Sequence, residues 1–250
     1  MKKSDLKIYV VAHKPYDLVS DSIYCPIQVN AKKNKHFLEV TDDTGDNISE
    51  KNSCFCELTA LYWIWKNDIS HDYIGLCHYR RYFKMKKSFS NYFHSVFEND
   101  HLNLDDLKIT DDILKKIEKQ YIIVPKKIKF SGKIYFISVE KQYVTCHDKN
   151  DLDILKNIVF EKYPECTTAW NTVFQRDWIY AYNMFIMNNK IFKEYMTWLF
   201  DILFETEKKI SPKPDAYQNR IFGFMSERLF NVFLEYKKCK VKELPIIFLA

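Results

Sequence analysis

The stretch "DYIGLCHYRRYF", residues 72–83, decides how this chain is read. "YIGLC" is a short, continuous apolar run, the pattern of a strand buried on both faces of a parallel-type sheet. His78, Tyr79, Arg80 and Arg81 follow without a break. Ligands of open α/β sheets gather beyond the carboxyl ends of strands, so the run sets an imidazole, a phenol and two guanidinium groups at such an edge. Arginine stays charged in a partly dry cleft and grips phosphate oxygens in a bidentate fashion. The stretch therefore points to an anionic ligand, a diphosphate in the first instance. Solvation of a strand end is the plainer alternative.

Outward from there, "LKIYVVAH" (6–13) reads as an opening strand that delivers His13 and Lys14 to the same edge. "QYIIVP" is a third strand, ended by Pro125. Leu58, Leu61, Tyr62 and Trp65 recur at helical spacing. Residues 17–50 read as irregular, and "GKIYFISVEKQYV" (132–144) as a hairpin arm or further strand. From residue 150 the pattern turns helical: one amphipathic helix stopped by Pro164, one over Asp177–Asn188, and one marked by Phe192, Tyr195, Met196, Leu199 and Leu203. "SPKP" then breaks the chain before a last helix over roughly 215–236. The expectation is one domain (1–250): an α/β half over about 1–145 and a mainly helical half over about 146–250, together an open sheet with a helical cap.

Composition narrows the function. Among 250 residues there are only four glycines, Gly45, Gly75, Gly132 and Gly223, too scattered for a P-loop or a dinucleotide-binding turn. The net charge of +5 is spread in short mixed blocks, short of the asymmetry of a nucleic-acid binder. It suits an anionic small substrate, or weak attraction to an acidic membrane surface. Seven scattered cysteines argue against a disulfide framework, and Cys54-x-Cys56 lacks the second pair of a zinc site. No transmembrane or signal segment is read, so a reduced, cytoplasmic protein is expected.

Three more groups have the chemistry of a site. Asp46, Asn47, Lys51 and Asn52 lead into the first helix, with Glu57 and Thr59 near its start; they suit a base or ribose, or equally a helix cap built by Asn47 or Ser49. Arg220, Gly223, Glu227 and Asn231 fall on one stripe of the last helix, either walling a sugar site or forming a surface ion pair. Asp177 is a carboxylate for general-base work or a helix cap, with Asn183 polar in the apolar run after it. The D-x-D at Asp151 and Asp153 opens a helix, where acids favour the dipole. Zinc-hydrolase, redox-thiol and serine-hydrolase motifs are absent from the sequence.

Together, "VAHK" (11–14), "DNISEKN" with "CELTALYWIWKN" (46–67), "DYIGLCHYRRYF" (72–83), "YNMFIM" (182–187), "EYMTWLFDIL" (194–203) and "NRIFGFMSERL" (219–229) resemble the family called domain of unknown function 4422. Its members look like glycosyltransferases of bacterial capsule and exopolysaccharide synthesis. The resemblance covers nearly the whole chain. It implies a GT-A-like fold, an open mixed sheet flanked by helices with a mainly helical acceptor half, and a nucleotide-sugar donor.

It also implies roles. His13, Lys14, Asp46, Asn47, Lys51, Asn52, His78, Tyr79, Arg80 and Arg81 would bind the donor. Asn183, Met184, Phe185, Arg220 and Arg228 would face the acceptor. Asp177 or Glu227, with Asp215 behind them, would be the base of an inverting enzyme. Where many GT-A enzymes carry a metal-binding D-x-D, this strand ends in His78 and Arg80, so no cofactor is expected to be required; a divalent metal (Mn or Mg), held by His78 if at all, stays open. Uridine-diphosphate galactofuranose is the sharpest donor expectation. The expected acceptor is a lipid-diphosphate-linked oligosaccharide at the inner face of the bacterial membrane; the lysines and aromatics of "KMKKSFSNYF" (84–93) would make peripheral contact there, or equally form a flexible surface loop. The rival classes are a non-catalytic carbohydrate- or nucleic-acid-binding module and an inactive partner in a capsule-synthesis complex.

Overall fold

A computed structural model describes residues 5–130 and 136–250. Strands β1 (Leu6–Ala12), β2 (Tyr24–Gln28) and β3 (Tyr73–His78) run parallel with β1 in the middle, Val11 lying level with His78. β3 turns back through Tyr79 and Arg80 into β4 (Arg81–Phe83), so His78 and Arg81 pair across a two-residue hairpin. β5 (Val96–Asn99) lies farther along, and β6 (Ile122–Pro125) is the third predicted strand.

Short strands β7 (Ile128–Lys129) and β8 (Trp178–Ile179) pair apart from the main sheet. β9 (Phe185–Asn188) inserts antiparallel between β3 and β6, while β10 (Val241–Leu244) adds parallel to β6. The main sheet thus runs β2-β1-β3-β9-β6-β10, with the carboxyl ends of every strand except β9 on one edge. β11 (Ile246–Leu249) lies antiparallel to β4 and parallel to β5.

The helices are α1 (Asn52–Phe55), α2 (Leu58–Asn67), α3 (Asp111–Glu118), α4 (Val139–Cys146), α5 (Lys149–Lys162), α6 (Thr167–Gln175), α7 (Asn189–Glu207) and α8 (Ile221–Tyr236). The larger core packs α2 and α4–α8 on one face of the sheet, around Tyr9, Leu76, Phe185, Tyr195 and Phe230. Ile8, Val10, Ile123, Ile186 and α3 form a smaller core on the other face.

Several expectations change. Asp177–Asn188 is not a helix: it holds β8, a turn and β9. Tyr182 and Asn183 both adopt left-handed backbone, at φ 73° and 51°, which ends any helix, and Met184–Met187 is buried on all sides, so no periodicity distinguishes strand from helix. Val139–Cys146 is helical rather than a strand, capped by the Ser138 hydroxyl on the N–H of Lys141; residues 132–135 of that segment lie outside the described residues. The region read as irregular contains β2. The helical second half also supplies β9, β10 and β11 to the shared sheet.

Candidate functional site

The polar stripe of α8 is fastened to segment 180–183 turn by turn. Asn231 accepts the Tyr180 N–H with Oδ1 (2.9 Å) and donates to the Tyr180 carbonyl with Nδ2 (2.8 Å). One turn earlier, Glu227 Oε1 accepts the N–H of Tyr182 at 2.8 Å. A further turn on, the Gly223 carbonyl accepts from the Asn183 amide (3.3 Å), which also donates to Glu57 Oε1 (2.7 Å). Cys56, just before Glu57, has φ 50° as well. Left-handed backbone at non-glycine residues costs on the order of 1–3 kcal/mol each, and three such residues meet here, held by these bonds.

The edge residues converge on this seam. His78 Nε2 lies 2.6 Å from the Tyr182 carbonyl oxygen. The Arg81 guanidinium lies over the Tyr182 ring (5.0 Å) and beside Phe248 (5.2 Å), whose ring Arg80 also approaches at 4.9 Å. Arg80 Nε donates to the Leu249 carbonyl at 2.6 Å, which fixes the plane of its guanidinium. Arg220 donates its Nε to Cys56 Sγ (3.4 Å). Across from them His13 and Lys14 both contact the Tyr79 ring. Among the described residues, no carboxylate lies within ion-pair distance of Arg80, Arg81, Arg220 or Lys14. The one paired arginine of the seam is buried Arg228, whose Nη1 sits 3.0 Å from Glu227 Oε2 while Nη2 donates to Gln142 (2.7 Å).

These charges act on one another. Burial holds the Glu227 carboxyl above its ordinary value; Arg228 pulls it back, Glu57 pushes it up, and Arg81 also favours the ionised form. Burial depresses His78, with Glu57 opposing and Arg81 and Arg220 assisting, so the ring is neutral near neutrality. His13 is lowered by burial, then by Lys14 and Arg220. Burial pushes the Cys56 thiol up to about 12, which removes it as a nucleophile.

His13, Lys14, His78, Tyr79, Arg80, Arg81, Asn183, Arg220 and Glu227 therefore come together. Other predicted residues do not. Asp46 accepts the Tyr62 hydroxyl and is clasped by Asn67, at the far end of α2, about 15 Å of helix from Glu57. Asn47 folds onto the carbonyls of Asp43 and Gly45, and Lys51 pairs with Glu207. Asn52 braces the Cys56 carbonyl and Thr59 from behind. Asp177 precedes β8, and its carbonyl accepts from Phe130. Asp215 accepts the Gln218 N–H and so starts the turn before α8. Met184 and Phe185 are wholly buried in the two cores, and Arg228 is buried behind Glu227, so none of the three presents a side chain to an acceptor. Asp151 of the D-x-D pairs with Lys213. Cys56 and Tyr182 stood in the motifs and Phe248 in none, but their places in the seam were not legible, because they join it through the turn before α2, the insertion of β9 and the terminal strand.

A cavity of about 1510 Å³ lies elsewhere, between loop 16–24 and segment 100–109. Its rim carries Asp5, Asp17, Asp21, Asp100 and Glu118 against a single lysine, Lys108, the wrong sign for a diphosphate.

The model of a domain of unknown function, DUF4422, matches residues 7–238. The chain belongs to the DUF4422 family. Among solved structures, the DUF4422 chain is similar to the apo structure of the bifunctional glycosyltransferase WbbM, with 34% identity and a TM-score of 0.90 over 99% of this chain. It spans 46% of that longer chain. The mixed sheet flanked by helices is thus the GT-A-like architecture expected. A comparison with curated proteins finds no match. Among the described residues, no helix of this DUF4422 chain is long and apolar enough to cross a membrane.

Proposed function

We propose that the chain is a glycosyltransferase that moves a sugar from a nucleotide-diphosphate donor to a saccharide acceptor in capsule, exopolysaccharide or O-antigen synthesis. One observation carries the reading: Arg80 and Arg81, without carboxylate partners among the described residues, stand at the carboxyl edge of β3, and Arg81 acts on a half-buried carboxylate, Glu227. The likeness to half of a bifunctional glycosyltransferase supports it.

In this mechanism Glu227 takes the proton of an acceptor hydroxyl as its oxygen attacks the anomeric carbon. The bond from that carbon to the diphosphate breaks, and its electron pair leaves with the diphosphate. Arg80, Arg81 and Arg220 stabilise the charge that develops there. The raised affinity of Glu227 for protons suits a general base, and single displacement at one face inverts the anomeric centre. Of the other expected bases, Asp215 accepts the Gln218 N–H in the turn before α8, and Asp177 lies before β8, where its backbone carbonyl accepts from Phe130.

The groups beside β3 suit an anion better than a divalent cation: His78 Nε2 is engaged by a carbonyl, Glu57 and Glu227 already accept from Asn183, Tyr182 and Arg228, and Arg81 and Arg220 lie close by. Charge stabilisation is therefore assigned to the arginines, with neutral His78 orienting the Tyr182 peptide. The donor is proposed as uridine-diphosphate-linked, galactofuranose first, and the acceptor as a lipid-diphosphate-linked oligosaccharide at the inner membrane face.

Incubating the chain with a panel of uridine-diphosphate sugars, in excess chelator and in manganese, tests both parts. Release of uridine diphosphate in chelator is the expected result. Loss of turnover restored by manganese would overturn the metal-free mechanism, and no binding of any nucleotide sugar would overturn the assignment.

A further inference from the structure

The segment between β4 and β5, "KMKKSFSNYFHS" (84–95), presents a surface that the cleft does not use. Phe89–Tyr92 forms one turn of 3-10 helix. Phe89, Tyr92 and Phe93 are 79%, 82% and 70% exposed. Their rings touch one another, 5.2 Å between Phe89 and Phe93 and 6.4 Å between Phe89 and Tyr92. Val96, at the start of β5, is exposed beside them.

This turn is built, not loose. Ser88 Oγ donates to Asn91 Oδ1 (2.5 Å), Asn91 Nδ2 donates to the Lys86 carbonyl (2.9 Å), and Lys126 Nζ donates to the Asn91 carbonyl oxygen. These bonds, with those from the Asn91 and Phe93 N–H groups to the Ser88 and Ser90 carbonyls, hold the turn while the rings face outward. Exposed Lys86 and Lys87 flank the rings, and Asp112 pairs with Lys87.

Its location matters as much as its composition. Lys126 directly follows β6, which runs parallel to β3, so the turn is anchored on the sheet edge that carries His78. Only β9 separates the two strands, an offset of about 10 Å.

We propose that Phe89, Tyr92 and Phe93, with Lys86 and Lys87, form a docking surface for an anionic lipid bilayer. Phenylalanine rings enter the boundary of the acyl region, tyrosine keeps its hydroxyl at headgroup level, and lysines meet anionic headgroups. Three rings of about 150–250 Å² each fall short of the roughly 800 Å² per partner of a stable protein interface. Shallow insertion into the headgroup boundary demands no such area. Bilayer binding requires no sugar chemistry, so the inference goes beyond the transferase reading and stands or falls separately. Docked this way, the edge bearing His78, Arg80 and Arg81 lies next to the membrane.

The experiment is co-sedimentation of the full chain with vesicles of phosphatidylcholine alone and of phosphatidylcholine mixed with phosphatidylglycerol. Binding is expected for the mixed vesicles and should weaken with salt. The triple variant Phe89→Ser, Tyr92→Ser, Phe93→Ser should lose at least about tenfold in vesicle affinity. Lys86→Glu with Lys87→Glu should abolish the preference for anionic lipid. Thermal unfolding of both variants, matched to the parent, guards against misfolding. The proposal is overturned if the parent ignores anionic vesicles or if the triple variant binds as well as the parent. It is equally overturned if the triple variant loses self-association in the absence of lipid binding, which would assign the rings to a contact between copies.

Discussion

His78 and Glu227 hold opposite ends of one residue: Nε2 of His78 meets the Tyr182 carbonyl oxygen at 2.6 Å, and Glu227 Oε1 accepts the Tyr182 N–H at 2.8 Å. Tyr182 carries left-handed backbone, and its ring lies beneath the Arg81 guanidinium. A neutral imidazole donates where a cation is not needed, so His78 fixes the peptide while the arginines supply charge. Strand edge, helix α8 and the strained turn are therefore tied together, with the proposed base at the junction.

Glu227→Gln isolates the proton chemistry. The amide oxygen still accepts the Tyr182 N–H, so the turn persists, while proton uptake is lost. Turnover should fall by about 10²–10⁴-fold, the usual contribution of a general base, with nucleotide binding kept. Arg228 loses its counter-ion, at a cost of about 1–3 kcal/mol of stability. Steady-state kinetics with denaturant unfolding checks both numbers. Unchanged turnover in the variant removes Glu227 from the mechanism.

Arg81→Ala tests the charge at the edge. With no carboxylate partner, the guanidinium contributes little to folding, and charge-assisted bonds to phosphate contribute about 1.5–3 kcal/mol. Uridine-diphosphate affinity should drop about ten- to a hundredfold while the unfolding midpoint stays near that of the parent. Arg81 also favours ionised Glu227, so its removal should shift the acid limb of turnover to higher pH. Titration calorimetry and a pH–rate profile read the two effects.

Legibility varied with how local the signal was. β1, β3, β6, α5, α7 and α8 were readable because an apolar run or a helical stripe is complete within each segment. β9 was not: a four-residue strand buried on both sides has the same apolar run as a helix turn, and only its insertion between β3 and β6 makes it a strand. The site followed the same rule. His78, Arg80 and Arg81 announce themselves beside their strand, and the Arg220–Glu227 stripe beside its helix. For the loop 46–52 the structure shows the plainer use, since its polar side chains serve the entry to α2 and their partners lie within a few residues, on α2 or on α7. Buried Asp42 organises that entry, accepting from the N–H groups of Asn30 and Ala31 and the hydroxyls of Ser49 and Thr59. Sequence cannot separate such a hub from an exposed acid.

Gly75 probes how tightly the central strand is packed. A Cβ there would stand 3.0 Å from side-chain carbons of both Ile8 and Ile186, and 3.2 Å from the Phe185 carbonyl oxygen. Neighbouring strands β1 and β9 hold those atoms, so neither gives way cheaply. Gly75→Ala should destabilise by about 1–3 kcal/mol, as overpacking does. A midpoint shift of that size in urea checks it; an unchanged midpoint means the sheet relaxes around β3.

Acidification should weaken the fold through its depressed histidines. His13, His78 and His147 are each held below the ordinary 6.5, burial being the largest cause. Between 6.5 and the lower folded values, the unfolded chain binds more protons, so stability rises with pH across that window. Their contribution is complete above 6.5 and is lost as pH falls through the folded values. Glu227 acts oppositely: its folded value lies above 4.5, so its penalty eases as pH drops toward that figure. Asp151 is raised by burial in the same way, but the ordinary values of both carboxylates lie well below 6.5, so the three imidazoles govern just below neutrality. Urea midpoints at about pH 7.5 and about pH 5.5 should differ, the acidic one lower. His78→Gln keeps a donor for the Tyr182 carbonyl but cannot titrate, so it should narrow the difference. A slope left unchanged in that variant would assign the loss to His13 and His147 instead.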